Sequence, residues 1–207
     1  MNPVTAKNII FDFGGVIIRI DYQRIAATLK KFGVADFDRL YSQLHQADLF
    51  DDFEKGLVSP QQFRDRIRTL SGIPLTDSQV DEGWNAILID LPRENIEALI
   101  ALKPAHRLFL LSNTNAIHEK AFTGIILRDF GRNILPELFE KIYFSHHMHM
   151  RKPDPEIFER VIRENNLQPG ETLFVDDSQQ HIEGAKKTGL QTLFAEQGKM
   201  VADLFRN

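Results

Sequence analysis

A chain of 207 residues has room for one substantial core, or for one core and a small accessory domain. Its formal net charge of -4, with 43% hydrophobic and 26% charged residues, suits a globular protein and excludes a global basic field that would draw it to nucleic acid or an anionic membrane. The absence of cysteine removes disulfides, thiolate zinc sites and cysteine catalysis together.

The opening MNPVTAKN holds no apolar segment, so no signal peptide is expected, and no apolar run approaches the length of a membrane span. The expectation is a soluble, cytoplasmic protein that engages neither nucleic acid nor membrane. Oligomeric state is not readable. The first predicted strand is Asn8–Phe13, too short and too continuously apolar for an amphipathic helix. From about Asp21 to Leu88 no strand is predicted, only helical segments. Asp21–Lys31 and Asp36–Leu44 carry apolar residues at helical spacing. Ser59-Pro60-Gln61-Gln62 and Thr76-Asp77-Ser78-Gln79 have the pattern of capping boxes. This stretch reads as a small helical bundle with Trp84 and phenylalanines at its centre, the alternative being an extra helical layer on the sheet. Further strands are predicted at Arg107–Leu111, Lys141–Phe144, Thr172–Val175 and Gln191–Phe194, with helices at Pro155–Asn165 and Gln179–Thr188. Such alternation predicts an α/β fold: a Rossmann-like parallel sheet flanked by helices, with a helical bundle inserted after the first strand. The expected division is a core of residues 1–19 and 89–207 and an inserted domain of residues 20–88.

Four strand ends carry candidate chemistry, and in parallel sheets that edge is where ligands bind. Asp12 precedes Gly14 and Gly15, which let backbone approach an oxyanion closely; the alternative is an aspartate that merely caps a turn. Ser112 and Asn113 lie where a helix begins, either to receive a phosphate or simply to cap that helix. Lys152 precedes Pro153-Asp154-Pro155, an N-cap and a helix-starting proline, and is either a fixed cation for phosphoryl oxygens or a solvated lysine. Asp176 and Asp177 are adjacent carboxylates ending an apolar strand. They either bind a hard cation such as Mg²⁺ or cap the following helix. His146, His147 and His149 could meet a borderline cation, but are read as having incidental affinity for nickel or copper rather than as a built site.

Asp12-Phe13-Gly14-Gly15-Val16, Leu110-Leu111-Ser112-Asn113, Lys152-Pro153-Asp154-Pro155 and Phe174-Val175-Asp176-Asp177, in this order on successive strand ends, resemble the motifs of the haloacid dehalogenase-like hydrolases. Ser112-Asn113-Thr114-Asn115, Met150-Arg151-Lys152-Pro153 and Ile182-Glu183-Gly184-Ala185 bring the chain nearest to bacterial sugar-phosphate phosphatases that act on α-glucose 1-phosphate. The resemblance implies a helical cap in the insert and a phosphatase for a small phosphorylated metabolite. It implies Asp12 as covalent nucleophile, with Ser112, Asn113, Gly14 and Gly15 at the phosphoryl group and Lys152 offsetting its charge. It also implies Mg²⁺ bound by Asp12, Asp177 and the Gly14 carbonyl, with Asp176 a ligand or an orienter of metal-bound water. Two departures stand out: Gly14 occupies the position of the family's second aspartate, its acid and base, and His181 replaces an asparagine. Metal-free dehalogenation and a non-catalytic phosphate-binding relic are the competing readings. Substrate choice is expected at the tip of the insert, around His45, Asp48, Phe50, Asp51 and Phe53.

Overall fold

The computed structural model describes residues 6–37, 40–41, 48–196 and 198–205. Five parallel strands, β1 (Asn8–Phe11), β2 (Arg107–Ser112), β3 (Lys141–Phe144), β4 (Thr172–Asp176) and β5 (Gln191–Phe194), stand in the order β3-β2-β1-β4-β5. β1, β2 and β4 are apolar over most of their length because both faces are covered, whereas the edge strands β3 and β5 are less buried. Ile9, Phe11, Leu108, Leu110, Leu173 and Val175 enter one core; Ile10, Phe109, Leu111 and Phe174, one residue out of step, enter the other. The two-residue period of a strand accounts for the split.

The α/β class is as expected, with small differences at the ends. β1 stops at Phe11 rather than Phe13, because the Phe13 carbonyl already accepts from the amides of Ile17 and Ile18 and so begins a turn. β2 and β4 each run one residue further than expected, since Ser112 pairs with Phe144 and Asp176 with Phe194. The last helices are shorter, Pro155–Glu164 and Gln179–Lys186. Asp154 stands at the N-cap position, yet its side chain makes no capping bond. It lies instead 3.8 Å from the Lys55 ammonium.

Between β1 and β2 the helices Gln23–Lys31, Leu49–Glu54, Pro60–Ser71 and Asp77–Asn85 gather around a third core of Ile25, Leu29, Phe53, Phe63, Ile67 and Val80. Both capping boxes form: Ser59 accepts from the Gln62 amide and Thr76 from that of Gln79, and each glutamine side chain reaches back. Ile20 and Leu88 pair antiparallel where the chain enters and leaves these helices. Trp84 stacks on Phe50 and on His118, the latter from the helix Ala116–Phe130 that follows β2. Burial drives the His118 pKa down to about 3, so the imidazole in this stack is neutral. The expected helix Asp36–Leu44 falls partly on residues outside those described, and His45 lies outside them. Among the described residues no helix is long and apolar enough to cross a membrane.

Candidate active site

Because the strands are parallel, Asp12, Ser112 and Asp176 reach the same edge of the sheet, as does Ser145 just beyond β3. Asp12 follows β1 directly, its amide donating to the Val175 carbonyl at 2.8 Å. The chain then turns at Gly15, where φ is +75° and a Cβ would collide with the Asp177 carboxylate. Glycine is required there for both reasons. Gly14 has neither constraint: its φ lies outside the left-handed region and a Cβ would find only the Ile20 side chain, whose end is 3.3 Å away.

Lys152 is 0% exposed. Its ammonium donates to Asp12 Oδ1 at 2.7 Å and to Asp176 Oδ2 at 2.6 Å, and lies 5.3 Å from the Phe174 ring centroid. It is no solvated lysine. Burial alone would neutralise this amine, but the two carboxylates outweigh burial and hold it above its ordinary pKa. Burial raises the Asp12 pKa, and neighbouring Asp176 adds to the rise, against the pull of Lys152. Asp176 goes the other way: burial opposes its ionisation, but Lys152 and His181 together hold its pKa below the ordinary value. His181 Nδ1 lies 3.0 Å from both Asp176 oxygens, and the Ser178 amide donates to Oδ1 at 2.8 Å.

Asn113 does not cap a helix. Its side chain clasps the Lys152 backbone, accepting from its amide and donating to its carbonyl at 2.9 Å each. The helix is capped by Asn115, which accepts from the amides of Ile117 and His118. Buried Ser112 makes one long hydrogen bond, 3.4 Å to the Asn113 carbonyl, and its hydroxyl sits beside this clasp. Asp177 lies within reach of Asp12 and Asp176, one oxygen from each falling within 4.8 Å of the others. Burial, then the charges of Asp12 and Asp176, push the Asp177 pKa up to about 7. Three carboxylates around one ammonium leave a deficit of positive charge. An all-oxygen set of this kind fits a hard divalent cation such as magnesium.

The structure adds residues that sequence reasoning missed. His181, read as a polar replacement, supports Asp176; its place one helical turn after the strand end was the available signal. Arg151 reaches into the helical insert, donating through Nε to Glu54 Oε2 at 2.9 Å, with Nη1 2.8 Å from Asp51 Oδ1. Tyr22, largely exposed, lies near enough to Asp177, Asp12 and Glu54 to feel their charges. The histidine trio separates: His149 turns away to the Lys55 carbonyl at 2.9 Å, whereas His146 and His147 meet at Glu119.

Residues 6–189 match the family model described as haloacid dehalogenase-like hydrolase. The chain is 33% identical over 192 residues to D-ribitol-5-phosphate phosphatase of Bacteroides thetaiotaomicron, covering 93% of each. It is 33% identical over 211 residues to glyceraldehyde 3-phosphate phosphatase of Pyrococcus furiosus, covering 93% of this chain and 82% of that one. A HAD family enzyme of B. thetaiotaomicron, crystallised as the wild-type protein with magnesium and inorganic phosphate, superposes with a TM-score of 0.86 at 35% identity. That match covers 97% of this chain and 100% of the other.

Proposed function

The chain belongs to the haloacid dehalogenase-like hydrolases, and we propose that it works as a magnesium-dependent phosphatase of small phosphorylated metabolites through an aspartyl-phosphate on Asp12. The observation that carries the reading is the buried Lys152 ammonium held between Asp12 and Asp176, with Asp177 a third carboxyl beside them that this one cation does not pair. The named activities of the relatives, on ribitol 5-phosphate and glyceraldehyde 3-phosphate, support it. The paired aspartates weigh against metal-free dehalogenation, which has no use for the second carboxylate. The insert, residues 20–88, is the cap that selects the substrate.

In this reading an Asp12 oxygen bonds to phosphorus as the bond from phosphorus to the ester oxygen breaks, and the departing oxygen takes a proton. Water then adds to the same phosphorus, the bond to Asp12 breaks, and phosphate leaves with the carboxylate restored. Lys152, engaging Asp12 through Oδ1 alone, orients the nucleophile and offsets charge on the phosphoryl oxygens. Asn113 acts on the lysine by fixing its backbone, and Ser112 and the Gly14 amide receive phosphoryl oxygens; the Gly15 amide, expected to join them, donates instead to the Ile18 carbonyl at 2.9 Å, so Gly15 serves by making the turn. Asp176, anchored by His181 and the Ser178 amide, keeps the ammonium in place. Asp12, Asp177 and the Gly14 carbonyl would hold magnesium, with Asp176 a ligand or an orienter of metal-bound water, and the ion would supply the charge that lets a phosphate dianion approach these carboxylates.

The finer reading is a sugar phosphate such as glucose 1-phosphate, argued from the missing acid at Gly14. Both relatives are named for phosphates of primary alcohols, so the leaving group is the point to test. Release of phosphate from an aryl phosphate and from a panel of phosphorylated sugars and polyols, with magnesium and with excess chelator, checks the main proposal. Asp12→Asn keeps the shape but cannot attack phosphorus, and turnover should vanish. Substantial turnover in clean Asp12→Asn protein, or undiminished activity in chelator, would overturn it.

A further inference from the structure

A second group of ligating side chains lies outside the aspartate cluster and uses none of its residues. Glu119 comes from the first turn of the Ala116–Phe130 helix, and His146 and His147 from the short Ser145–Met148 turn after β3. The Nε2 atoms of His146 and His147 lie 2.9 and 3.1 Å from the same oxygen, Glu119 Oε2, and the two rings are 4.1 Å apart at their centroids. One donor atom from each of the three residues falls within 4.8 Å of the others. Donors bound tetrahedrally to zinc at about 2.0–2.1 Å stand about 3.4 Å apart. Small side-chain rotations suffice to reach that spacing.

Histidine chemistry leaves one buried ring atom of this group without a partner. His146 is 8% exposed, and burial holds its imidazole toward the neutral form. A neutral ring has a single N–H. If Nε2 carries it, donating to Glu119, then Nδ1 is a bare lone pair, buried, with no hydrogen-bond partner. The backbone group acting on the ring is the Thr114 carbonyl, itself an acceptor. A cation on Nε2 reverses the tautomer: Nδ1 gains the hydrogen, on a ring whose N–H form the nearby Thr114 backbone favours.

We propose that Glu119, His146 and His147 form a site for one borderline divalent cation, zinc being the type, separate from the magnesium site. Two imidazoles and one carboxylate favour zinc, nickel or copper over magnesium, and three protein ligands leave a position for water. The cation would join the two segments that carry Asn113 and Lys152. They already touch through Ser145, whose hydroxyl accepts from the Thr114 amide and donates to its carbonyl at 2.9 Å each.

The test is calorimetric titration of the whole protein with zinc chloride in excess magnesium chloride, at a pH above the histidine range. One-to-one saturable binding is expected. His147→Ala and Glu119→Gln should each weaken it more than about tenfold, whereas Asp177→Asn should leave it unchanged. His147 is exposed, so its replacement leaves the cores intact. X-ray absorption at the zinc edge should report two imidazole ligands. No saturable binding, equal binding by both variants, or loss of binding in Asp177→Asn would overturn the proposal.

Discussion

Gly14 offers a direct perturbation of the chemistry. Its φ lies outside the left-handed region, and the nearest atom to an added Cβ is the flexible end of Ile20 at 3.3 Å. Gly14→Asp should therefore fold, at a cost within the about 1–3 kcal/mol usual for a tight small-to-large change. The chemical effect is larger. General acid assistance is typically worth about 10²–10⁴-fold, equivalent to about 2.7–5.5 kcal/mol of barrier, and it grows with the basicity of the leaving oxygen. Glucose 1-phosphate releases a hemiacetal hydroxyl, more acidic than the primary alcohol released from glucose 6-phosphate. The natural protein should accordingly favour the 1-phosphate and aryl phosphates, and Gly14→Asp should narrow the gap. The assay is kcat/KM for both sugar phosphates with saturating magnesium, compared as a ratio because the new carboxylate also alters the field at the metal. If the natural protein prefers the 6-phosphate and the ratio is unmoved by Gly14→Asp, the leaving group does not govern selectivity and the reasoning fails.

Lys152→Met strands two buried carboxylates, which typically costs about 3–5 kcal/mol. At about 2–4 °C per kcal/mol for a chain of this size, the metal-free Tm should fall by about 6–20 °C, with a smaller deficit in magnesium; a fall below about 2 °C would contradict the buried pairing. Asp177, raised to about 7 in the metal-free protein by burial and by Asp12 and Asp176, must lose its proton to bind a cation. Magnesium affinity should then be full above about pH 7 and weaken below it, by at most about tenfold per unit. The same raised pKa costs the metal-free protein stability as pH climbs from the ordinary carboxylate range to about 7. Calorimetry across that interval tests both, and pH-independent affinity would exclude Asp177 as the titrating ligand. Gly15→Ala combines φ +75° with a collision against the Asp177 carboxylate, so it should reduce magnesium affinity as well as stability; unchanged affinity in that variant would count against Asp177 as a ligand.

The sheet was legible because its central strands are buried on both faces, which leaves runs such as Asn8-Ile9-Ile10-Phe11 too short and too apolar for an amphipathic helix. The helix starts at Pro60 and Asp77 were legible because capping boxes are local chemistry, complete within four residues. What pairs across long separations was not. Nothing near Asn113 in sequence says that its carboxamide holds the backbone of residue 152, nor that Asn115, two residues on, is the cap. Neighbours along the chain misled in the case of the histidines: His149 sits in the left-handed region at φ 56° and so turns away, while Glu119, far off in sequence, completes the pair.

The same distinction bears on how the insert communicates with the site. Arg151 and Lys152 are consecutive, yet they serve different partners. Lys152 holds Asp12 and Asp176 at the sheet edge, and Arg151 holds Asp51 and Glu54 on the insert. Arg151 donates through Nε to Glu54 Oε2, and its Nη2 lies 2.8 Å from the same oxygen. Burial raises the Glu54 pKa against the pull of the arginine. Both side chains are part-buried, 22% and 26% exposed, so removing either leaves the other only partly solvated. Moving the insert away from the sheet would separate that pair. Residues 151 and 152 thus place the hold on the insert and the hold on Asp12 on one short segment, fixed from behind by Asn113.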